Sequence, residues 1–424
     1  MPDQHSYLSN KEKKNCTGCG ACSFVCKHHA IDMREDIEGF FFPDINKNLC
    51  TRCGLCIKSC PIAFSQQNTK DNREFYLATT PISEYFSKSA TIGVCTMLAE
   101  SIINTGGVVY GAWLDETTLK CKHICISTLP DIEKIRNSKY TQSEIHQCLR
   151  DVENNLKSGK TVLFVGTPCQ IAGLKSFLFH AYNNLYTIDL ICHGVYSYKI
   201  LQEEVKYWGK IYNGVINNFR FRSKRVYPWE RGGVINFDVT NKKNKVEHIE
   251  ILGSYSPTYR CYAYSGNGIN YNLRLSCYHC QFRAEERYGD ITVGDSWFMK
   301  KNFPEIFSGE NNRNGISLLL INTSKGHDIM NMISQKLNLF KLEKSQAFVQ
   351  PALLPTNRVI PVERAELYGK LLKEDYGELV NRLLGIDIRM LYKKSISHSR
   401  ESKFKKLKKI VKKHVLGYDT SNKE

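Results

Sequence analysis

The larger part of the chain alternates between two hydrophobic patterns, one typical of helices and one typical of strands. Apolar residues at steps of three and four predict helices over residues 93–104, 144–157, 172–179 and 199–208. Short apolar runs predict strands at residues 108–113, 161–165, 185–192, 233–239, 246–251, 290–294 and 317–322. Because helices and strands follow one another along the chain, the pattern predicts a mixed α/β fold.

The first sixty residues carry a different pattern, in which one cysteine spacing occurs twice. Both copies read C-x2-C-x2-C-x3-C, and they consist of Cys16, Cys19, Cys22 and Cys26, then of Cys50, Cys53, Cys56 and Cys60. This spacing is typical of bacterial 4Fe–4S sites, where three thiolates converge on one cluster and the fourth reaches a second. It predicts cluster one on Cys16, Cys19, Cys22 and Cys60, and cluster two on Cys50, Cys53, Cys56 and Cys26.

Zinc is the alternative metal for this segment, since paired C-x2-C motifs also form tetrahedral zinc sites. Such sites usually place a longer loop between the two pairs, which favours the clusters here. Pro61 follows the second copy, whereas Lys27 stands at the matching position of the first. The proline shapes a turn and is not a ligand, so the segment is predicted to be a two-cluster electron-transfer unit.

Composition divides the chain into a cysteine-rich start, a long α/β part and a basic tail. The predicted domains are a two-cluster ferredoxin-type domain at 1–75, a mixed α/β domain at 76–385 and a tail at 386–424. A polar stretch at residues 65–73 is predicted to link the first two.

The tail holds about half of the net charge of +17. Between Lys393 and Lys413 there are ten Lys or Arg residues and one acidic residue, Glu401. Apolar residues recur there at steps of three and four, which predicts a basic amphipathic helix that contacts a membrane surface or a partner. A solvated terminus is the alternative. Nucleic acid is not expected, because no recognised binding module accompanies the charge.

The cysteine content and the absence of targeting signals indicate the compartment. No apolar run approaches the roughly 18 residues that a membrane span needs. The polar N-terminus lacks the apolar stretch of a signal peptide. Seventeen cysteines in such a chain indicate metal ligands and free thiols in a reducing environment. A cytoplasmic protein is predicted, with residues 393–415 offering contact to the inner face of the membrane.

Four further cysteines stand in distinctive contexts far apart in the chain. Cys169 follows a predicted strand, Cys192 ends another, and Cys277 and Cys280 form a C-x2-C pair. Ends of strands in α/β sheets are where cofactors collect. Four thiolates suffice for another 4Fe–4S cluster, although spacing alone leaves buried structural thiols open as an alternative.

Several motifs resemble the coenzyme F420 hydrogenase/dehydrogenase beta-subunit family. They are GGVVYGAWLDE at 106–116, SKYTQSE at 138–144, VLFVGTPCQIAGLKSFL at 162–178, IDLICHGV at 188–195, SCYHCQF at 276–282 and YGDITVGDSW at 288–297. The resemblance covers residues 80–330, with an N-terminal part at 80–157 and a C-terminal part from 160. A preceding two-cluster ferredoxin domain is a familiar arrangement in that family.

The resemblance implies a flavoprotein that holds FAD beside a 4Fe–4S cluster. The cluster ligands of the family fall on Cys169, Cys192, Cys277 and Cys280. The expected flavin contacts are Gly93, Lys139, Tyr140, Gly294, Asp295 and Trp297. One departure is the stretch at 90–94, which retains only Gly93 of the usual Ser-Gly-Gly. An ordinary core position is the alternative for Trp297.

The resulting hypothesis is an iron–sulfur flavoprotein oxidoreductase that couples ferredoxin-type clusters, through FAD, to a two-electron partner such as coenzyme F420. A basic run at residues 220–225 is weighed both as a receptor for that anionic partner and as a solvated charge run. The alternatives are a reductase of another organic substrate, including membrane- or glycan-linked ones, and a non-catalytic protein that passes electrons to a separate enzyme. A cysteine hydrolase using Cys169 or Cys192 with His193 is disfavoured, because adjacency in sequence does not place the ring at the thiolate.

Overall fold

The N-terminal part is small and is built around its cysteines. The structure is a computed structural model, and it describes residues 6–63, 73–263 and 270–392. The N-terminal elements are α1 (Tyr7–Asn10), α2 (Ala21–Phe24), β1 (Ile31–Glu35), β2 (Phe41–Ile45) and α3 (Leu55–Lys58). The strands β1 and β2 pair antiparallel. Gly20 and Gly54 precede α2 and α3 with φ of 76° and 74°, a conformation that glycine adopts without steric cost. The sequence repeat is therefore also a structural repeat.

The remaining elements follow in chain order. They are β3 (Glu74–Thr79), α4 (Ser83–Lys88), α5 (Val94–Asn104), β4 (Val108–Leu114), β5 (Cys121–Ile126), α6 (Ile132–Ile135), β6 (Ser143–Glu144), α7 (Leu149–Lys157), β7 (Val162–Gly166), α8 (Pro168–Leu178), β8 (Leu185–Leu190), α9 (Tyr198–Tyr212), β9 (Gly214–Arg220), β10 (Val234–Asn241), β11 (Val246–Leu252), α10 (Pro257–Ala263), α11 (Leu275–Tyr278), β12 (Ile291–Asp295), α12 (Gly309–Asn314), β13 (Ser317–Ile321), α13 (Ser324–Asn331), β14 (Asn338–Leu342), α14 (Lys344–Ala347), α15 (Glu363–Lys370) and α16 (Tyr376–Leu384).

A nine-stranded mixed sheet forms the centre of the larger part, in the order β14-β3-β13-β12-β8-β7-β4-β5-β6. Its middle strands β12, β8, β7 and β4 are parallel, and antiparallel pairs extend the sheet on both sides. Because the middle strands are parallel, the carboxyl ends of β7, β8 and β12 meet at one edge, where ligands usually bind in such sheets. The mixed α/β prediction is confirmed.

Helices cover the central strands on both faces. Val109 and Leu163 pack with α5 on one side, while Tyr110 and Phe164 pack with α7 and α8 on the other. This division follows from the alternation of side chains along a strand. The N-terminal part contributes to the second of these two cores, because Ala21 packs against α7 and α8.

A second, antiparallel sheet of three strands, β11-β10-β9, packs with the helices α9, α15 and α16. Its core contains Trp208, which stacks on Phe237 at a centroid distance of 4.8 Å. The hairpin of the N-terminal part also contributes to this core through Phe40 and Phe42.

Several predicted elements differ from the observed ones at their ends. The helix predicted from residue 144 begins at Leu149, because Ser143 and Glu144 pair with β5 as β6. The helix predicted from 172 begins at Pro168, where Thr167 and Gln170 form a capping box. The hydrophobic pattern gives no prediction for the strands β1, β2, β3, β5, β9 and β14.

Two further predictions concern membranes and the tail. In the part of the chain that the structure describes, no helix is both long and apolar enough to cross a membrane. The amphipathic helix predicted within residues 393–415 lies outside the described residues, as does nearly all of the linker predicted at 65–73. The domain boundaries remain predictions.

Candidate functional site

The ligands predicted for cluster one line a common small cavity. Cys16, Cys19, Cys22 and Cys60 all face this space of about 30 Å³. Cys60 comes from the second cysteine run and the other three from the first, and their assignment to cluster one remains a prediction. Burial, followed by the neighbouring thiol of Cys60, raises the pKa of Cys19 to about 12.

The second set lies nearer the surface. Burial raises the pKa of Cys56, and the thiols of Cys50 and Cys53 add to the rise. Cys53 is exposed. The Sγ atom of Cys26 accepts a hydrogen bond from the amide of Ala30 at 3.3 Å. Its assignment to cluster two remains a prediction.

The four scattered cysteines meet at the sheet edge where β7 and β8 end. Cys169 sits in the first turn of α8, directly after β7, and Cys192 lies two residues beyond β8. Cys277 lies in α11, and the chain returns to the site at Cys280. All four line one cavity of about 300 Å³. Parallel strand ends and one short helix thus assemble a thiol set that no local spacing encodes.

The four cysteines of this set are half-buried, and their thiols lie close enough to influence one another electrostatically. Burial, followed by the nearby Cys280 thiol, raises the pKa of Cys192 to about 11 and that of Cys277 to about 12. Within residues 6–63, 73–263 and 270–392, no three His, Cys, Asp or Glu side chains lie close enough to hold a single metal ion. The four thiols instead surround a shared space, which suits a group of several metal atoms. As thiols without metal they are poor nucleophiles at neutral pH.

His193 does not support the hydrolase alternative. Its Nε2 atom lies 3.0 Å from the carbonyl of Tyr262 and 3.2 Å from Nδ2 of Asn270. Burial, with Arg358 and Arg283 nearby, lowers the pKa of His193 to about 3. The ring is held by backbone and amide groups instead of a thiol, so it lacks the geometry of a general base for Cys169 or Cys192.

Most residues expected to contact a flavin also line the 300 Å³ cavity. They are Gly93, Lys139, Tyr140, Gly294 and Asp295. Trp297 is not among the lining residues, and its ring stacks on Trp229 at 4.3 Å and 9°. The five therefore share one space with the four scattered thiols, and a flavin contact for each remains a prediction.

Close packing accounts for the small residue at Gly294. A Cβ there would lie 2.5 Å from the Cβ of Ile191. Gly93 precedes α5 with φ of 84°, a backbone conformation that side chains rarely adopt. These two glycines are thus required by the fold whether or not a cofactor approaches them.

The basic run at residues 220–225 is only partly solvated, a feature that sequence reasoning missed. Arg222 is 3% exposed and pairs with Asp295 at 2.9 Å. Asp295 also accepts hydrogen bonds from Trp229 and Thr91. The Nζ atom of Lys224 donates to the carbonyl of Thr91 at 2.6 Å. Arg222 and Lys224 therefore bind residues of the large sheet domain, and Arg222 holds the end of β12 through Asp295. The only sequence signal of this role is that Asp295 belongs to the GDSW motif.

Positive side chains dominate the cavity wall. Arg274, Arg283 and Lys139 line it, and Asp295 is the one carboxylate among its described lining residues. Because Asp295 is paired with Arg222, it does not neutralise them. Burial lowers the pKa of Lys139 to about 8, and its Nζ donates to the carbonyl of Arg136 at 2.7 Å. The cavity therefore suits an anionic occupant.

Some buried polar atoms of the wall have no partner among the described residues. They are Nε and Nη1 of Arg283, Nη1 of Arg136 and Oγ of Ser89. Leaving such donors unpaired costs free energy, so an acceptor bound in the cavity would stabilise them. The phosphates of a flavin dinucleotide and the sulfur atoms of a 4Fe–4S cluster are acceptors that these donors could bind.

Two close contacts join the N-terminal part to this cavity. Gly173 lies one turn after Cys169 on α8, and a Cβ at Gly173 would lie 2.6 Å from the Cβ of Cys19. Arg274 is 1% exposed and donates to the carbonyl oxygens of Cys16 and Phe41, both at 2.9 Å. On α8, Cys169 and the residue against which Cys19 packs are thus one helical turn apart.

Comparison with known families defines the class of protein as an iron–sulfur protein. Residues 15–63 match the model of the 4Fe-4S dicluster domain. This segment is also 38% identical over 45 residues to the ferredoxin-type protein NapF of Escherichia coli K12, which covers 11% of this chain and 27% of that protein.

The larger part matches a second family. Residues 159–345 match the model of the C-terminal part of the coenzyme F420 hydrogenase/dehydrogenase beta subunit. The chain therefore combines a 4Fe–4S dicluster domain with a domain of that family, which confirms the resemblance seen in the motifs.

Two curated relatives extend the match. The coenzyme F420-dependent sulfite reductase of Methanocaldococcus jannaschii is 22% identical over 343 residues, or 78% of this chain and 48% of that protein. One of the subunits of the F420H2 dehydrogenase of Methanosarcina mazei is 22% identical over 207 residues, or 45% of this chain and 58% of that protein. The chain thus spans about half the length of these relatives.

A solved structure was also found, the F420-reducing nickel-iron hydrogenase complex of Methanosarcina barkeri. The alignment covers 68% of this chain and 91% of the other, at 16% identity and a TM-score of 0.39. At that score the overlap supports no argument about this chain.

Proposed function

We propose that this protein is an iron–sulfur flavin oxidoreductase that exchanges electrons between ferredoxin-type clusters and a two-electron organic partner. One observation carries the proposal: the four scattered thiols share a cationic cavity with unpaired buried N–H donors, one helical turn from a cysteine of the dicluster domain. A hydrolase or a simple binding module would not need that proximity.

The residues of the cavity divide into two proposed groups. Cys169, Cys192, Cys277 and Cys280 would hold the third 4Fe–4S cluster. Lys139, Tyr140 and the backbone at Gly93 and Gly294 would hold FAD on the remaining wall. FAD, when bound, exchanges a hydride with one partner and single electrons with another.

The chain itself would then contribute positioning, charge and exclusion of water. Arg222 holds the carboxylate of Asp295 at the end of β12 through a 2.9 Å ion pair, and it would thereby orient that part of the cavity wall. The uncompensated positive charge would favour an anionic flavin and a reduced cluster.

Coenzyme F420 is the proposed two-electron partner, since both curated relatives bear its name and the cavity is cationic. The reduced coenzyme would give a hydride, which is two electrons and one proton, to the bound flavin and a second proton to water, and the proton carried by the hydride would also pass to water. The two electrons would leave singly through the three clusters to a redox partner protein. A reductase of another organic anion uses the same residues, and screening of substrates separates the two.

The test is anaerobic purification with iron, sulfide and flavin measured on one sample. We expect about twelve irons and one FAD per chain for three clusters. Cys277→Ser should lose about four irons, while the control Cys148→Ser should lose none. Cys148 is buried in an apolar core, where its thiol donates a hydrogen bond to the carbonyl of Ile145, and it does not line the cavity. About eight irons, no flavin and no loss in Cys277→Ser would contradict the proposal and leave a protein that only transfers electrons.

A further inference from the structure

The predicted ligands of cluster two include the one exposed thiol among the twelve proposed cluster cysteines in the described residues. Cys53 is exposed, whereas Cys22 is buried and the other ten are half-buried. A proposed ligand of cluster one, Cys19, instead packs against Gly173 of α8. The dicluster domain therefore presents a cluster-one cysteine to α8 and a cluster-two cysteine to solvent.

The sequence around the proposed cluster-two cysteines carries an excess of positive charge, and the neighbouring acidic residue Asp44 is paired with Arg34. Lys27, Lys47, Arg52 and Lys58 each lie within three residues of a proposed cluster-two cysteine. The stretches 25–30 and 45–63 contain no Asp or Glu. All four cations are exposed. We call these four residues the cluster-two basic rim.

The rim is also uncompensated by the rest of the fold. Among the described residues, none of its four side chains forms an ion pair, although cations elsewhere on the same domain do. Lys13 pairs with Asp36 at 2.5 Å, and Arg34 pairs with Asp44 at 3.1 Å. Four exposed, unpaired cations that are close in sequence to the proposed ligands of one cluster favour a local positive potential, which attracts an acidic surface.

We propose that the cluster-two basic rim is the docking face for a small, acidic electron-carrier protein. The carrier gives one electron to cluster two and is itself oxidised, and the electron continues to cluster one and to the site on α8. The reverse transfer uses the same face. The proposal rests on the proposed function for the onward path, but docking and reduction of cluster two do not require the flavin.

Electrostatic docking makes the rate of transfer depend on salt and on the rim charges. Attraction between opposite surfaces raises association rates by about tenfold to a thousandfold, and salt screens it. We expect the second-order rate constant between a reduced acidic bacterial ferredoxin and the anaerobic holoprotein to fall as ionic strength rises, in a stopped-flow measurement.

The variant Lys27→Glu/Arg52→Glu/Lys58→Glu should lower that rate constant at low salt by about tenfold or more, and remove most of its salt dependence. The control Lys242→Glu/Lys243→Glu/Lys245→Glu makes the same change of charge between β10 and β11. Those three lysines are exposed as well, so the control should leave the rate nearly unchanged.

Iron content and the electron paramagnetic resonance spectrum show whether cluster two survives in each variant. If the rim variant loses iron, the salt dependence of the unmodified protein decides. A rate that is flat or rises with salt overturns the proposal, as does an equal slowing by both triple variants. Binding to anionic phospholipid vesicles through the rim, without a rate effect for ferredoxin, also overturns it and indicates a membrane contact. Loss of flavin with normal reduction of cluster two would refute the proposed function alone.

Discussion

The two groups of proposed cluster ligands are built in opposite ways. The first eight cysteines lie within 45 positions, between Cys16 and Cys60, around glycines that begin two short helices. The last four come from α8, the end of β8 and α11, and meet only because the nine-stranded sheet is folded. The first group is encoded by spacing, and the second by topology.

Their surroundings differ as well. The cations near cluster two are exposed and unpaired, whereas those near the scattered set are buried arginines. Arg274, Arg283 and Arg287 are each at most 7% exposed, and among the residues that the structure describes only Arg287 of these three pairs with a carboxylate, that of Asp189 at 2.8 Å. Exposed cations serve recognition of a partner, while buried ones act on the cofactor itself. We call the proposed docking face at cluster two the docking end, and the proposed site of the four scattered thiols the chemical end.

The contact between the two regions gives the largest expected effect. A Cβ at Gly173 would lie 2.6 Å from the Cβ and 2.9 Å from the Sγ of Cys19. Gly173→Leu should therefore displace cluster one and remove most electron transfer between the dicluster domain and the cavity. Freeze-quench electron paramagnetic resonance measures that transfer.

The milder Gly173→Ala separates packing from helix propensity. Alanine favours a helix over glycine by about 1 kcal/mol, but overpacking costs about 1–3 kcal/mol. We expect a net loss of stability in denaturant unfolding. The control Gly369→Ala lies in α15, where no atom lies within 4 Å of an added Cβ, and it should gain about 0.5–1 kcal/mol. A gain of equal size at both positions would contradict close packing of the two regions.

The sequence predicts the first group of cluster ligands from their spacing alone, whereas the second group needs the fold, and the reason is physical. The repeat, its glycines and the α/β alternation are local, so spacing and periodicity were enough to predict them. The pairing of Arg222 with Asp295 joins β9's end to β12 over 73 positions, and no local pattern reports it. Trp297 looked equally suited to a flavin or to a core, and its stack on Trp229 depends on a distant loop. Residues whose role depends on contacts between distant segments required the folded sheet.

A buried carboxylate in α9, that of Glu204, should make the stability of the fold depend on pH. Glu204 in α9 is fully buried and accepts a hydrogen bond from the amide of Thr258 in α10 at 3.1 Å. Burial raises its pKa from 4.5 to about 7. Between those values the unfolded chain binds fewer protons than the folded one, so stability falls as pH rises from 4.5 through about 7.

The expected loss from Glu204 is about 3 kcal/mol at pH values above that window. Glu204→Gln should remove this part of the dependence, so its stability relative to the unmodified protein should rise with pH. Denaturant unfolding of the holoprotein across the window measures the difference. Parallel curves for both proteins would show that Glu204 ionises in the folded state as readily as in the unfolded one.

The smallest effect is expected at Arg283, where the chemical end differs most from the docking end. Nε and Nη1 of Arg283 have no partner among the described residues, while Nη2 donates to the carbonyl of Pro351 at 2.5 Å. The guanidinium lies near Cys192 and Cys280. Since reduction adds negative charge to a cluster, a buried cation and its N–H donors should favour the reduced form.

Arg283→Gln should lower the midpoint potential of the third cluster by roughly 60 mV, which is a tenfold change in a one-electron equilibrium. Arg283→Lys keeps the charge and should lose less. Arg34→Gln removes an exposed cation, 70% accessible, and should leave all three potentials unchanged. An anaerobic redox titration followed by electron paramagnetic resonance gives the three values on one sample. If Arg283→Gln shifts every cluster equally or none, the charge around the scattered set does not tune its potential, and the two ends differ only in exposure.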